Sequence, residues 1–314
     1  MRILISGGAG FIGSNLANKL VNYGYSVDIV DNLSAGNLKF LLKDKNGNLA
    51  CRHFYHCEFD DNVIKHAIHK KNYDVIYHMA ALPKVSYSVE QPLKTHDVNV
   101  SKTLKLLQFS RDNVGRFVNT SSSAVYGQNY NACNERTETK PNSPYALQKL
   151  IIESYCKLYT NLYNLDTVSI RPFNVFGPHQ LGNSAYACAL SAWLYCLKHN
   201  KPLRSDGDGG QSRDLIYVDD LVDLFIKAGE HKNPLLGAVF NGGTGKAFSN
   251  TEILNWFQYH YYVDVVNAPQ RVGDVKHTLA DITASKNQFN WEPKTLFWNG
   301  VLKTKRWAMK SELF

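Results

Sequence analysis

The chain has 314 residues, of which 44% are hydrophobic and 20% are charged, and its formal net charge is +8 at pH 7. These values are ordinary for a globular protein and allow one large α/β domain, or a large domain with a smaller lobe. The lysines are dispersed and no apolar run reaches membrane-spanning length, so we expect neither a nucleic-acid partner nor a membrane partner.

Cysteine and histidine spacing bears on the compartment and on metals. The six cysteines show no CxxC spacing, and no signal peptide is expected before the first strand, which together indicate reduced thiols and a cytoplasmic protein. The eleven histidines form no HExxH motif and no zinc-like pairing with cysteine. The segment "SDGDGGQ" lacks the twelfth-position glutamate of a calcium loop, since Tyr217 stands there. We therefore expect no metal.

Short apolar segments alternate with helical patterns through the first half of the chain. The clearest predicted strands are 2–6, 26–30, 74–78, 116–120 and 167–171. The clearest predicted helices are 11–23, 62–71, 98–110 and 143–163. Apolar strands separated by helices predict right-handed βαβ units in a doubly wound parallel sheet, which is the Rossmann type of α/β fold.

Beyond about residue 172 this alternation stops and long loops rich in glycine and proline appear. We predict a first domain over 1–172 and a smaller C-terminal α/β lobe mainly over 173–314. The segment 214–229 has the pattern of one more strand and helix, so 213–242 is expected to return to the first sheet.

The segment "GGAGFIG" (7–13) follows the first predicted strand and opens the first helix. Gly7 permits a tight turn, Gly10 lets the backbone approach a pyrophosphate, and Gly13 lets the helix pack close to the strand. The amides at the helix N-terminus then face the phosphates. Asp31 ends the second strand, where its carboxylate would accept hydrogen bonds from ribose hydroxyls and repel a 2′-phosphate. This arrangement predicts NAD as the cofactor.

The segment "YALQK" (145–149) follows a turn and places a tyrosine and a lysine one helical turn apart. Ser143 and Pro144 are a helix cap and a first-turn proline, so Tyr145 and Lys149 share one helix face. A nearby ammonium lowers a phenol pKa, which would allow the tyrosine to take a proton. In isolation such a pair is usually exposed on a surface helix, but its place after the predicted strand 116–120 favours a catalytic pair.

The segment "NTSSSAVYG" (119–127) follows a predicted strand, at the strand end where open α/β sheets bind ligands. A hydroxyl in this segment could hydrogen-bond both a substrate oxygen and the tyrosine. Serines in a loop are otherwise a turn signal, so this segment by itself is weak.

The chain resembles the extended short-chain dehydrogenase/reductase family over nearly its whole length. The segments that carry the resemblance, in chain order, are "GGAGFIG", "DNLSAG", "HMAAL", "SSSAVYG", "YALQK", "RPFNVFGP", "GDGGQSRDLIYVDD" and "RVGDVKHTLAD". Within the family the chain is most similar to the NAD-dependent nucleotide-sugar 4-epimerases, the UDP-glucose/UDP-N-acetylglucosamine 4-epimerase group. The resemblance therefore implies an isomerase that binds NAD and a UDP-sugar, with a homodimer as the family's expected assembly.

The resemblance also implies a role for individual residues. The implied catalytic residues are Ser122, Tyr145 and Lys149. The implied cofactor-binding residues are Gly7, Gly10, Phe11, Ile12, Gly13, Asp31, Asn32, Glu58, Phe59, Ala80, Asn99, Tyr145, Lys149 and Pro172. The implied substrate-binding residues are Lys84, Ser122, Ser123, Tyr145, Asn174, Arg213, Arg271, Asp274 and Thr278.

Departures from the family pattern bear on the reaction and the sugar. Glu58 and Phe59 stand where an Asp and an aliphatic residue are usual, and Lys84 stands where small residues are commoner. Ser123 and Ala124 replace the Asp-Glu pair of the related dehydratases, and Asp31 opposes the NADPH of the related reductases. The sequence thus favours 4-epimerisation through a 4-keto sugar. Another nucleotide-sugar oxidoreductase, a uronate epimerase and a non-catalytic NAD-binding regulator remain the alternatives.

Thr278 stands at the family's gatekeeper position, where a large tyrosine restricts the pocket to hexoses and a small residue admits an N-acetyl group. The resemblance therefore implies UDP-GlcNAc/UDP-GalNAc as the substrate pair, with UDP-Glc/UDP-Gal as a further pair.

Overall fold

A computed structural model describes residues 1–184, 187–269 and 275–314. The strands are β1 (Arg2–Ser6), β2 (Ser26–Val30), β3 (His53–Tyr55), β4 (Tyr73–His78), β5 (Val114–Thr120), β6 (Asp166–Pro172), β7 (Asn174–Phe176), β8 (Leu203–Asp206), β9 (Ser212–Tyr217), β10 (Ala238–Gly242), β11 (Ala247–Ser249) and β12 (Val265–Ala268). The helices are α1 (Phe11–Asn22), α2 (Asn62–Lys71), α3 (Val85–Glu90), α4 (Pro92–His96), α5 (Thr103–Ser110), α6 (Pro144–Tyr163), α7 (Ala189–Lys198), α8 (Val218–Glu230), α9 (Asn250–Tyr261), α10 (Thr283–Phe289) and α11 (Phe297–Lys310).

The large sheet has the strand order β10-β6-β5-β4-β1-β2-β3 among the described residues. The pairs β1–β2, β1–β4, β2–β3, β4–β5 and β5–β6 are all parallel. Chain order reverses between β1 and β4, which is the switch point of a doubly wound sheet. The predicted Rossmann fold is confirmed.

Parallel pairing brings the carboxyl ends of neighbouring strands to one edge of the sheet. Ser6 at the end of β1 is level with Val30 in β2 and with His78 in β4. His78 is level with Asn119 in β5, whose next residue is level with Ile170 in β6. The segments that follow β1, β2, β4 and β5 therefore emerge together at this edge, where open α/β sheets bind ligands.

The chain forms two compact units. Unit 1 consists of Met1–Ser122, Ser143–Arg171 and Val222–Phe240. Unit 2 consists of Ser123–Asn142, Pro172–Leu221 and Asn241–Phe314. The two units thus interleave along the chain, and unit 1 includes Val222–Phe240, which lies within the segment 213–242. The domain bounds expected from the sequence stay a prediction. No helix in the described part of the chain is long and apolar enough to cross a membrane.

The strand predicted at the start of 214–229 lies in a different sheet from the one expected. β9 pairs in parallel with β7 and antiparallel with β11, in a separate three-stranded sheet. The chain returns to the large sheet through β10, which lies beside β6. An apolar strand such as "DLIY" can be buried in either sheet, so its composition alone does not identify its neighbours.

The helix predicted at 98–110 is not a single α-helix. Asp97–Lys102 forms a π-helical turn that leads into α5. The Asn99 side chain inserts at this turn, where its Oδ1 accepts from the Leu82 backbone N (2.8 Å) and its Nδ2 donates to the Leu82 carbonyl (3.1 Å). Such turns often occur at functional sites, and side-chain insertion of this kind is invisible to helical periodicity.

Candidate active site

In the turn between β1 and α1, only glycine fits at positions 7 and 13. Gly7 has a φ of +70°, and its backbone N donates to the Val30 carbonyl at 2.8 Å. A Cβ at Gly7 would lie 2.6 Å from the Ala80 backbone N, and one at Gly13 would lie 2.1 Å from the Gly7 carbonyl oxygen. Gly10 caps α1 with an ordinary φ of −78°. The turn is therefore a cradle of backbone amides at a helix N-terminus, which suits a pyrophosphate.

The Asp31 carboxylate ties the end of β2 to this glycine turn. It is buried, and it accepts from the backbone N of Ala9 (2.9 Å) and of Leu33 (2.8 Å). Burial raises the pKa of Asp31, against the effect of these two hydrogen bonds. The carboxylate thus stands beside the turn, as expected of a ribose-binding acid.

The other residues implied for the cofactor occupy unit 1, except for Pro172, which ends β6 in unit 2. Glu58 accepts from Asn32 Nδ2 at 2.8 Å and pairs with Lys102 at 3.1 Å. Phe59 is buried against the His78 ring, with the ring centroids 5.0 Å apart. Phe11 and Ile12 lie in the first turn of α1. Phe59 is thus part of the apolar core of this unit.

Helix α6 carries the tyrosine and the lysine on one buried face. The Ser143 hydroxyl caps the helix by accepting from the Ala146 backbone N at 3.2 Å, and Pro144 is the first helical residue, as predicted. Tyr145 is 8% exposed and Lys149 is 5% exposed, which excludes an exposed surface pair. Lys149 Nζ donates to the Thr120 carbonyl at 2.7 Å and lies 5.9 Å from the Tyr145 ring centroid. The Ser122 side chain hydrogen-bonds to Tyr145. The structure thus brings Ser122, Tyr145 and Lys149 together.

Burial shifts the pKa values of Tyr145 and Lys149 in opposite directions, away from each other. Burial raises the pKa of Tyr145 to about 12, and the hydrogen bond with Ser122 acts in the opposite direction. Burial lowers the pKa of Lys149 to about 8, and the nearby Glu153 carboxylate opposes this. The expected lowering of the tyrosine pKa is wrong for the protein alone, because loss of hydration outweighs the hydrogen bond from Ser122.

Sequence reasoning missed Gln148, which lies between the tyrosine and the lysine in the same segment. Its buried side chain accepts from Asn99 Nδ2 at 2.9 Å and donates to Thr95 Oγ1 at 3.0 Å. Asn99 also holds the Leu82 backbone, so this pair joins α6 to the loop after β4. The sequence signal for Gln148 was its place on the predicted helix between Tyr145 and Lys149, where a polar side chain would need a hydrogen-bond partner if it were buried.

Helix α3 lies against the start of α6. Ser88 Oγ accepts from the Tyr145 backbone N at 3.1 Å, and the Ser88 backbone N bonds the Lys84 carbonyl at 3.0 Å. Lys84 is half-buried at the start of α3. Its ammonium forms no hydrogen bond or ion pair within residues 1–184, 187–269 and 275–314. Lys84 thus lies one helical turn before Ser88, whose hydroxyl accepts from the Tyr145 backbone N.

In unit 2 the structure brings Asn174 and Thr278 into contact. Asn174 Nδ2 donates to Thr278 Oγ1 (3.0 Å) and to the Asp214 carbonyl (3.2 Å). The buried Asp214 carboxylate, which the sequence analysis missed, accepts from Thr244, Gly245 and Ala280 and thereby holds the segment that carries Thr278. These contacts make the gatekeeper position part of a hydrogen-bonded cluster.

Arg213 lies on β9, and its Nη1 donates to the carbonyls of Ser212 (3.0 Å) and Lys276 (3.3 Å). Ser123 begins the 3₁₀ turn Ser123–Tyr126, also in unit 2. Arg271 and Asp274 lie outside the described residues.

Comparison with known proteins identifies the class. Residues 3–243 match the model of the NAD dependent epimerase/dehydratase family. The chain is 33% identical to a UDP-glucose 4-epimerase of Mycolicibacterium smegmatis, over 97% of each protein. It also superposes on the crystal structure of UDP-glucose 4-epimerase of Thermotoga maritima with UDP-glucose, with a TM-score of 0.91, 30% identity and 99% of each chain covered.

A second solved structure differs in its ligand. It is the UDP-N-acetylglucosamine 4-epimerase of Methanobrevibacter ruminantium in complex with UDP-N-acetylmuramic acid, with a TM-score of 0.90 and 32% identity, over 98% of this chain and 97% of that one. The chain therefore belongs to the NAD dependent epimerase/dehydratase family, as the resemblance implied. The predicted class, an NAD-dependent nucleotide-sugar 4-epimerase, is confirmed, and the glycine turn and Asp31 fit NAD.

Replacing Gly10 by alanine tests the cradle separately from the fold. Its φ suits alanine and the added Cβ would meet nothing nearer than the Gly7 carbonyl at 3.2 Å, so the protein should fold. The methyl group would stand where a pyrophosphate approaches, so we expect NAD binding to weaken about tenfold or more. The measurement is the NAD released per chain on denaturation, together with the melting temperature.

Gly210→Ala is the matched control, because its Cβ also meets its nearest atom, on Asp208, at 3.2 Å. It should leave the NAD content unchanged. Full NAD content in Gly10→Ala would contradict the placement of the pyrophosphate.

Proposed function

We propose that this NAD-dependent nucleotide-sugar 4-epimerase interconverts UDP-GlcNAc and UDP-GalNAc, and that it also accepts the UDP-Glc/UDP-Gal pair. The observation that carries the chemistry is the contact of Ser122 with the buried pair Tyr145 and Lys149 at the carboxyl edge of the large sheet. The sugar preference rests on Thr278, whose side chain is far smaller than the tyrosine of hexose-restricted relatives.

Tyr145 acts as the base on the sugar 4-hydroxyl in this proposal. Ser122, already hydrogen-bonded to Tyr145, accepts the sugar hydroxyl proton and passes its own proton to the phenolate oxygen. Positive charge beside a phenol favours the phenolate, and protonated Lys149 supplies such a charge. When bound, NAD supplies the hydride acceptor for C4 and then the hydride donor to the opposite face of the 4-keto sugar.

The nucleotide is held in this proposal by residues other than those that perform the chemistry. Arg213 and Arg271 bind the diphosphate, for which the guanidinium fork is suited. Asp274 binds near the uridine ribose, and Asn174 and Ser123 contact the ligand. Placing most of the binding energy on the nucleotide leaves the 4-keto sugar able to turn and present either face.

Proton NMR of the purified protein with UDP-GlcNAc, and separately with UDP-Glc, tests the function without added cofactor. The proposal expects the galacto-configured anomeric signal to appear while NAD stays bound, because the hydride returns to the sugar. Failure with both sugars, even with added NAD, would reject these substrate pairs. It would leave a net oxidoreductase or a non-catalytic NAD-binding regulator.

Tyr145→Phe should lower turnover by roughly two to four orders of magnitude, because the phenylalanine ring packs alike but cannot move a proton. Tyr155→Phe, on the same helix and packed on the core of unit 1, is the control and should retain activity. Both variants are compared by initial rates of epimerisation at equal NAD content. Near-normal turnover in Tyr145→Phe would reject its assignment as the base.

Thr278→Tyr should lower kcat/KM for UDP-GlcNAc relative to UDP-Glc by roughly 10- to 100-fold, because a large ring would fill the space for the N-acetyl group. The substitution also removes the hydroxyl that accepts from Asn174. Thr278→Val, which removes the hydroxyl without adding volume, separates these effects. Equal losses on both sugars in Thr278→Tyr would contradict the gate.

Lys84 favours a second candidate, a UDP-sugar that carries a carboxylate. Its half-buried ammonium has no hydrogen-bond or ionic partner in the described part of the chain, and a carboxylate would supply one. The ligand in one solved neighbour, UDP-N-acetylmuramic acid, is such a sugar. Asn174, where glucuronate 4-epimerases tend to have threonine, weighs against simple uronates.

UDP-glucuronic acid as a third substrate in the NMR assay tests this candidate. If Lys84 binds a carboxylate, Lys84→Met should lower kcat/KM for this sugar about tenfold and leave UDP-GlcNAc unaffected. No turnover of UDP-glucuronic acid by the unmodified protein would reject simple uronates as substrates.

We also propose that the enzyme is a homodimer through α5 and α6. Leu147, Leu158 and Leu162 on α6 are exposed in the single chain, and a partner helix pair would cover them. Sedimentation as a monomer at all concentrations would exclude this.

The cysteine pattern favours a cytoplasmic location.

A further inference from the structure

Three consecutive residues, the last of β5 and the two that follow it, contact three residues of α6 spaced one helical turn apart. The Thr120 carbonyl accepts from Lys149, and Ser122 hydrogen-bonds to Tyr145. The third contact is that of the Ser121 hydroxyl, which donates to the Glu153 carboxylate. Residues four apart lie on one face of a helix, so Glu153 continues the row that begins with the base and its lysine.

Glu153 is itself held by an ion pair with Arg171. Arg171, near the end of β6, donates Nε to Oε1 at 2.8 Å and Nη2 to Oε2 at 2.6 Å. Glu153 is 6% exposed and Arg171 is 4% exposed. A bidentate pair of this kind has one geometry, so the Oε1 atom that receives Ser121 is fixed relative to β6. Ser121 is further fixed by its backbone N, which donates to the Ile170 carbonyl at 2.7 Å.

Glu153 also supplies the negative charge near Lys149. The ionisable groups that face Lys149 are Tyr145, Glu153 and Cys156 on α6, His78 on β4, and Arg171 on β6 through Glu153. Burial raises the pKa of Cys156 to about 12 and lowers the pKa of His78 to about 3, so both are neutral at ordinary pH. The Glu153 carboxylate therefore opposes the tendency of burial to remove the Lys149 proton.

We propose that Glu153 is a positioning residue for the epimerisation. Its carboxylate holds the segment 120–122 against α6 so that Ser122 meets Tyr145, and it keeps Lys149 protonated. Glu153 touches neither sugar nor cofactor in this role, and it acts through Ser121 and Lys149. The inference rests on the proposed function, because it assumes that Ser122, Tyr145 and Lys149 perform the chemistry.

The pH profile of kcat/KM for UDP-sugar epimerisation tests the electrostatic part. Glu153→Gln keeps the shape of the side chain and removes its charge, so the pKa of Lys149 should fall. Lys149 would then lose its proton at lower pH, and the alkaline limb of the profile should move to lower pH. We also expect kcat at neutral pH to fall about 10- to 100-fold through the loosened serine segment.

Asp166→Asn is the control for loss of an ion pair that is partly buried. Asp166 pairs with Arg116 at 2.6 Å and lies at the other end of β6, five residues from Arg171 and thus roughly 17 Å away along the strand. This variant should lower the melting temperature without moving the alkaline limb. An alkaline limb in Glu153→Gln that coincides with that of the unmodified protein would overturn the electrostatic role.

Ser121→Ala tests the positioning role even if Glu153→Gln fails to fold. It removes the hydroxyl that meets Glu153 and leaves the ion pair with Arg171 intact. We expect kcat to fall about tenfold, KM and NAD content to stay unchanged, and the alkaline limb to stay in place. Full kcat in Ser121→Ala would overturn the positioning role. Absence of epimerisation in the unmodified protein would instead reject the proposed function.

Discussion

The hydrogen bond from Lys149 to the Thr120 carbonyl is the contact on which the candidate site depends. It anchors α6 to the end of β5. The next two residues, Ser121 and Ser122, then contact Glu153 and Tyr145 on the same helix. Lys149 and Thr120 are both buried, so a hydrogen bond to water cannot readily replace the bond between them if it breaks. Burial therefore has two consequences for Tyr145 and Lys149. Their side chains are held in one arrangement, and loss of hydration shifts their pKa values.

Burial shifts the pKa values of Tyr145 and Lys149 in opposite directions, although the proposed mechanism requires both groups to be charged. It favours the neutral phenol of Tyr145 and the neutral amine of Lys149, whereas proton removal needs phenolate and ammonium. Charges in the surroundings must supply the difference. Glu153 supplies part of it for the lysine. The proposed mechanism requires a positive field at Tyr145 from the lysine and from bound NAD.

In the proposed function, the residues for sugar preference and those for the chemistry lie in different parts of the chain. The proposed catalytic residues belong to unit 1, whereas Asn174, Thr278 and the Asp214 network belong to unit 2. The gatekeeper hydroxyl is bonded to the asparagine that is expected to meet the ligand. Variation at position 278 therefore changes a hydrogen-bond partner as well as a volume, and the two effects have to be separated.

Local sequence was sufficient for the glycine turn, for Asp31 after β2, and for the capped helix that carries Tyr145 and Lys149. Each depends on short-range sterics and periodicity: glycine where a Cβ would collide, serine where an amide lacks a partner, and a four-residue spacing on a helix face. Tertiary structure alone decided the sheet that β9 joins, the π-turn at Asn99, the contacts of Gln148 and Glu153, and the direction of the tyrosine pKa shift. These depend on which distant groups meet and on how much water their meeting excludes, and no local pattern in a chain encodes either quantity.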